Sequence, residues 1–379
     1  MNRLVSIVAH PASALEEDGS STDEGRSGDV PFSFTPSIEA RDAAAARQSG
    51  LLKPPGALGA LETLAVHYAA VRGHLTTPEP PRFGLAVFAA DHGVTVEGVS
   101  AYPKEVTRGM VAAMVSGVAA VSVLARAHDV ELSVVDVGVL AAVGDAIDVL
   151  VPGRGVRYAE KRIRRGTANL RTTSAMSLAE VKQAIGVGSE EALAFVARGA
   201  SVVGVGEVGI GNTTAAACLV CALTGETAER IVGRGTGVDE AGLTRKRRVV
   251  TEAVARLRKG ATGLTVLSEV GGLELAAMVG FMLTAVQNRC LVVLDGFLAQ
   301  AAALVASEMA PGVRAGLVAS HVSAETGSSI ALEALGLEPL LSLGMRLGEG
   351  TGAVLGMGLV ADAIRLEREM GTLAGLGLA

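Results

Sequence analysis

Apolar and polar positions change rhythm twice along the chain. Residues 12–34 are rich in Ser, Gly, Asp and Glu, lack apolar periodicity, and are expected to be disordered. Thr35-Pro36 then reads as an N-cap followed by proline at the first helical position, opening an Ala-rich helix through about Gln48. After a Pro-Pro-Gly turn, Leu61, Leu64, Ala65, Tyr68 and Leu75 keep helical spacing and predict a second, amphipathic helix. From residue 84 the texture is different. Short apolar runs at 84–90, 131–137, 200–206, 290–295 and 315–320 alternate with helix-like stretches at 105–128, 213–224, 239–260 and 296–309. That alternation predicts an α/β fold: a Rossmann-like parallel sheet with helices on both faces.

Each apolar run ends in polar residues: Asp91-His92, Asp136, Glu207, Asp295 and Ser320-His321. In open α/β sheets the ligand lies in the crevice beyond the carboxyl ends of the strands. Five strands delivering polar groups to one edge predict a small-molecule site.

Composition narrows the class. The chain has 379 residues, enough for a large domain with a smaller attachment. A net charge of −6 and no long basic cluster argue against a nucleic-acid partner. Mean hydropathy is +0.43, so a membrane protein has to be weighed. The longest uncharged runs, 109–125 and 208–225, are interrupted by Ser and Gly, and the apolarity is mostly Ala, Val, Leu and Gly. That suits a sheet buried on both faces better than a membrane span, and a soluble protein is expected. The apolar stretch near Leu4 is too short for a secretory signal, and three cysteines fit a reduced, cytoplasmic compartment. Cys218 and Cys221 form a C-x-x-C, but inside an apolar run with no second pair of ligands nearby, so core packing is expected. The six histidines are scattered, and no metal site is expected.

The most informative stretch is M-R-L-G-E-G-T-G-A, 345–353. Glu349 stands between Gly348 and Gly350, with Arg346 expected one helical turn earlier. Glycines on both sides let a ligand approach closely, so the lone acid suits a proton acceptor for a flat substrate. The bland alternative is a Gly-rich C-cap with an exposed Glu. A second glycine-rich stretch, 204–217, leaves a strand and enters a helix. Gly204, Gly206 and Gly209 match the G-x-G-x-x-G spacing of dinucleotide folds, which keeps an NAD-linked oxidoreductase in view. Against it, Glu207 lies inside the turn, where its charge would oppose a pyrophosphate. The path also continues through Gly211 to Asn212-Thr213-Thr214, whose amides and hydroxyls suit a single phosphate. Lys246 and Arg234, in and beyond the glycine-rich segment 232–246, are candidates to neutralise that phosphate, and Tyr102 and Met110 are candidate walls for an aromatic ligand. There is no G-x-S-x-G elbow and no case for a covalent nucleophile.

Taken in order, these segments resemble the nicotinate-nucleotide:dimethylbenzimidazole phosphoribosyltransferase family of cobalamin lower-ligand synthesis. The resemblance spans roughly 37–370. It rests on K-P-P-G-x-L-G-x-L-E (53–62), D-H-G-V-x-x-E-G-V-S (91–100), G-E-V-G-I-G-N-T-T (206–214), G-R-G-T-G (233–237), G-G-L-E-L-A-A-M-V-G (271–280), L-D-G-F (294–297), S-H-V-S-A-E (320–325) and the 345–353 segment. It implies a homodimer and a small helical domain built from both chain ends. Residues 35–80 would give the N-terminal helices, 81–330 the catalytic domain and 331–379 the closing segment, after a leader at 1–34.

By the same likeness Glu349 falls on the catalytic base and Glu207 on a second active-site acid. Gly209, Gly211, Asn212 and Thr213 fall on the phosphate site, with Lys246 and Arg346 as basic substrate contacts. Tyr102, Met110 and Val208 fall on the base pocket, where some relatives carry Ser and Gln at the first two positions. Further substrate contacts are implied for Asp295, Ser323 and Gly348. The implied substrates are nicotinate mononucleotide and a benzimidazole-type base, with no metal or redox cofactor. A non-catalytic benzimidazole-binding protein on the same scaffold is the other alternative.

Overall fold

A computed structural model describes residues 32–77, 79–143 and 155–377. Most of the expected leader lies outside these. Its last residues, 32–34, instead lay Phe32 and Phe34 against the core, where two aromatic rings outweigh the polar composition upstream.

Seven parallel strands form one sheet in the order β3-β2-β1-β4-β5-β6-β7. They are β1 Arg82–Ala90, β2 Val130–Gly138, β3 Val156–Glu160, β4 Ala200–Val208, β5 Leu291–Leu294, β6 Leu317–His321 and β7 Pro339–Leu341. The five apolar runs are β1, β2, β4, β5 and β6. The two strands not anticipated are the edges. β3 reads V-R-Y-A-E and is only half-buried, and β7 is three residues opening on proline, so neither carries the continuous apolar run of a central strand.

Helices cover both faces. Leu178–Ala197, Asn212–Thr224, Leu273–Gln287 and Phe297–Met309 close one core, in which Phe281 meets Phe88 and Phe195 edge to face. Ala60–Arg72, Val106–Val115, Ala120–Ala127 and Thr351–Glu369 close the other over Leu85, Val87 and Val293. The stretch Val106–Ala127 is long and apolar enough to cross a membrane. Here it is two helices rather than the single one expected over 105–128. Ser116-Gly117 breaks it, with Gly117 at φ 78, and Val111, Met114 and Val121 are buried.

The first helix also starts later than expected. Ser37, not Thr35, is the N-cap of Ile38–Ser49, and its hydroxyl accepts from Ala40 N–H at 3.1 Å. The second runs Ala60–Arg72, so Leu75 lies beyond its end and is exposed. Segment 53–62 has a local structural role. The Glu62 carboxylate accepts from the N–H groups of Gly56 and Leu58 and pairs with Lys53 at 2.8 Å, closing the turn before that helix. The chain ends meet there: Leu52 N–H donates to Gly371 O, and Leu373 N–H to Gly50 O. Cys218 and Cys221 are buried in the core, as expected.

Candidate active site

The site is built at the carboxyl ends of three adjacent strands, β4, β5 and β6, which deliver Glu207, Asp295 and His321 to one cleft of about 730 Å³. The other two polar strand ends serve the framework. Asp136 accepts from the N–H groups of Gly138 and Val139 and binds Arg162, while Asp91 accepts from Leu140 N–H at 2.8 Å. His92 pairs with Glu274 at 2.7 Å, both side chains fully buried.

Glu349 enters the cleft from the chain's last quarter. The preceding residues 342–348 are extended or irregular, so Arg346 is not a helical turn earlier. Nor is the segment a C-cap: it opens the helix Thr351–Glu369, and Glu349 is 4% exposed. Glu349 has φ 66, a left-handed conformation uncommon for a residue with a side chain and of a kind concentrated at functional sites. Its N–H donates to Glu207 O at 3.1 Å.

Two glycines make this approach possible. A Cβ on Gly206 would lie 2.3 Å from Gly350 N, and one on Gly348 would lie 2.5 Å from a Glu207 carboxylate oxygen. Gly204 and Gly206 therefore lie inside β4 to admit the helix Thr351–Glu369 and the turn before it. They do not form a pyrophosphate turn, which removes the basis of the dinucleotide alternative.

Opposite stands the start of the helix Asn212–Thr224. Ile210 N–H donates to Thr107 Oγ1 at 3.0 Å, fixing the turn, and no protein acceptor among the described residues reaches the N–H groups of Gly211 or Thr213. The Asn212 side-chain amide donates to Glu207. Free amides at a helix N-terminus attract an anion.

Burial drives the proton affinities. It is the main cause that pushes Glu349 up to about 7, with the Asp295 carboxylate adding to it. Glu207 is raised well above the ordinary carboxylate range, again by burial first, then by Asp295, Glu274 and Glu349. Two acids in one cleft are thus unlike: burial favours the proton on Glu207 strongly, and Glu349 gains and loses its proton near neutrality. Glu349 Oε2 is buried without a hydrogen-bond partner. It is an acceptor waiting for a donor.

Of the residues singled out in the sequence, Glu207, Glu349, Gly209, Asn212, Thr213, Arg346, Tyr102, Met110, Val208, Asp295, Ser323 and Gly348 line the cleft. Gly211 and Lys246 lie behind it. Lys246 is 1% exposed, and its ammonium donates to Thr213 Oγ1 at 2.8 Å and Gly233 O at 3.3 Å. Burial lowers its pKa to about 8, against the pull of Glu325. Arg234 turns away to Glu240 and Val238 O, and Arg346 donates to Gly235 O at 2.9 Å. Tyr102 and Met110 stand with Val106, Val208 and Leu298 as a largely apolar wall, Tyr102 at the exposed rim. His321, expected only as part of a polar strand end, and Glu325, not singled out in the sequence, also lie in the cleft. The strand-end pair Ser320-His321 was the available signal for His321, and Glu325 carried none beyond its segment. Among the described residues no group of three or more His, Cys, Asp and Glu side chains is placed to hold a metal ion.

Comparison with known proteins shows the family. A family model described as phosphoribosyltransferase matches residues 35–377. The nicotinate-nucleotide–dimethylbenzimidazole phosphoribosyltransferase of Chromobacterium violaceum is 48% identical over 343 residues, 90% of this chain and 96% of that protein. The enzyme of the same name from Thermus thermophilus is 48% identical over 320 residues, 84% of this chain and 92% of its own. A crystal structure of the Thermus thermophilus phosphoribosyltransferase superposes with a TM-score of 0.82, covering 90% of this chain and 99% of that one at 45% identity.

Proposed function

The chain belongs to the nicotinate-nucleotide–dimethylbenzimidazole phosphoribosyltransferase family, and from that premise we propose how its own residues carry the reaction. The enzyme moves the 5-phosphoribosyl group of nicotinate mononucleotide to 5,6-dimethylbenzimidazole or a related base. The products are nicotinate and α-ribazole 5′-phosphate, for cobalamin synthesis. In the donor the leaving nitrogen is a pyridinium with no lone pair, so it departs without a general acid. The C1′–nicotinate nitrogen bond breaks as positive charge develops on the ribose. One benzimidazole nitrogen forms the new bond from the opposite face, and the proton on its other nitrogen passes to Glu349.

The observation that carries this reading is the buried, unpartnered Glu349 Oε2 in the cleft that also holds the Gly209–Thr213 turn. A positioned carboxylate titrating near neutrality is suited to general-base work. Glu207 accepts from the Asn212 side-chain amide and so orders the turn that receives the phosphate. Lys246 supports that turn from behind through Thr213 and adds positive charge. Arg346 and Ser323 border the nucleotide side, and Tyr102, Met110 and Val208 receive the base. Fixing both substrates removes much of the entropic cost of their meeting.

The reading extends to the whole protein. Residues 35–80 supply the N-terminal helices and 331–379 the closing segment, which also gives β7 to the sheet and carries Glu349, beside a catalytic domain at 81–330. The protein acts as a soluble cytoplasmic homodimer on small molecules. The test is to incubate purified protein with nicotinate mononucleotide and a panel of bases and to follow free nicotinate by chromatography. Nicotinate released only when a base is present supports the reading. No release with any benzimidazole overturns it.

A further inference from the structure

Asp295 was expected to contact substrate, but its hydrogen bonds point the other way. One carboxylate oxygen accepts from Gly350 N–H at 3.0 Å, and the other accepts from Gly352 N–H at 2.8 Å and Ala353 N–H at 3.2 Å. All three donors are backbone amides of the turn after Glu349. The formal N-cap of the helix Thr351–Glu369 is Gly350, which has no side chain, so Asp295 serves as its cap from across the sheet. Glu349 is thereby pinned on both sides: its own N–H is held by Glu207 O from β4, and the next one by Asp295 from the end of β5.

We propose that Asp295 is a positioning residue, which acts through Glu349 by holding the following turn in the left-handed geometry that presents the catalytic carboxylate, and does not act by binding substrate. This rests on the assignment of Glu349 as the base. Two independent features of the geometry support it. The left-handed φ at Glu349 is unfavourable for a residue with a side chain and persists only where surrounding bonds over-determine it, and Asp295 supplies three of those bonds. The turn also has no slack: a Cβ on Gly352 would fall 2.8 Å from Asp295 Oδ1 and 2.1 Å from His321 Nδ1.

The same placement has an electrostatic consequence. Burial raises the Asp295 pKa, while His321 and the three backbone amide donors oppose that and favour the ionised carboxylate. The titratable and charged groups lining the cleft with Glu349 are Glu207 on β4, Asp295 after β5, His321 and Glu325 at and beyond the end of β6, Arg346 on its own loop, and Tyr102 at the rim. After burial, Asp295 is what raises Glu349. Removing that negative charge makes Glu349 a weaker base that ionises at lower pH.

The test compares wild type, Asp295→Asn, Asp295→Ser and the double variant with Glu349→Gln, over a pH series. In Asp295→Asn, kcat is expected to fall on the order of 10- to 100-fold from misplacement of the base. Both Michaelis constants are expected to stay within about twofold, and the acid limb of kcat to move to lower pH. Asp295→Ser, which keeps an acceptor but no charge, is expected to show the same shift of the limb. The limb reports only active molecules, so partial loss of folded protein does not imitate it. In the Glu349→Gln background, Asp295→Asn is expected to change the residual rate less than about twofold. A raised Michaelis constant with kcat preserved, an unmoved limb, or full multiplicative losses in the double variant would each overturn the proposal. Absence of activity in wild type would instead strike the proposed reaction, and undiminished turnover in Glu349→Gln alone would strike the assignment of the base.

Discussion

The backbone N–H of Glu349 donates to the backbone oxygen of Glu207 at 3.1 Å, joining two acids 142 positions apart in sequence. Their carboxyl groups then share one buried cleft and cannot both be ionised easily. Glu207, buried on a central strand, is the one whose pKa is raised well above the ordinary range, against the pull of its Asn212 hydrogen bond. Glu349, on a turn and without a partner for Oε2, is the one free to take a proton.

Glu349→Gln keeps the shape and removes the base. It is expected to bind both substrates with near-normal affinity while kcat falls roughly 10²- to 10⁴-fold. Calorimetric titration beside steady-state nicotinate release checks this. Near-normal turnover would move the role of base to Glu207.

Activity should rise with pH through about 7, because the base must be ionised and its folded-state pKa lies there. If the Lys246 charge supports phosphate binding, activity should fall again above about 8, as that ammonium loses its proton. The profile of kcat/KM for the nucleotide should therefore be a narrow bell. A flat profile from pH 5 to 9 contradicts both assignments.

The same raised pKa sets a stability cost. Glu349 shifts from an ordinary value of 4.5 unfolded to about 7 folded, so the unfolded chain gives up its proton first. Stability is lost as pH rises from about 4.5 through about 7, by at most about 3.5 kcal/mol at about 1.4 kcal/mol per unit. Glu349→Gln should therefore raise the thermal midpoint at pH 8 and change it little at pH 4.5. An equal effect at both pH values would place the stabilisation elsewhere.

Lys246→Ala leaves Thr213 Oγ1 and Gly233 O without their buried donor. We expect the Michaelis constant for the nucleotide to rise on the order of tenfold, the worth of one charge-assisted contact, and that for the base to rise less. Equal effects on both substrates would mean that Lys246 only stabilises the fold. A thermal melt of the variant separates these outcomes.

The central strands, the close-packed glycines around Glu349 and the strand-to-helix turn at Gly209–Thr213 were legible because each has a local signature. β1, β2, β4, β5 and β6 are continuous apolar runs, and the turn from Gly209 to Thr213 ends a strand and starts a helix within a few residues. What was not legible depends on distant partners. Nothing local says that Asp295 caps a helix more than fifty residues away, that Lys246 lies behind Thr213 rather than in the cleft, or that Glu325 joins it. The break at Ser116-Gly117 was visible as residues but not as a helix end, since the apolar spacing continues on both sides.

The most direct measurement is a crystal structure of the protein with 5,6-dimethylbenzimidazole and a phosphorylated ribose product. The account predicts one ring nitrogen of the base within about 3 Å of the Glu349 carboxylate, with the phosphate on the amides of the Gly209–Thr213 turn. A ring nitrogen directed at Glu207 or at solvent, or a phosphate held away from that turn, would contradict it.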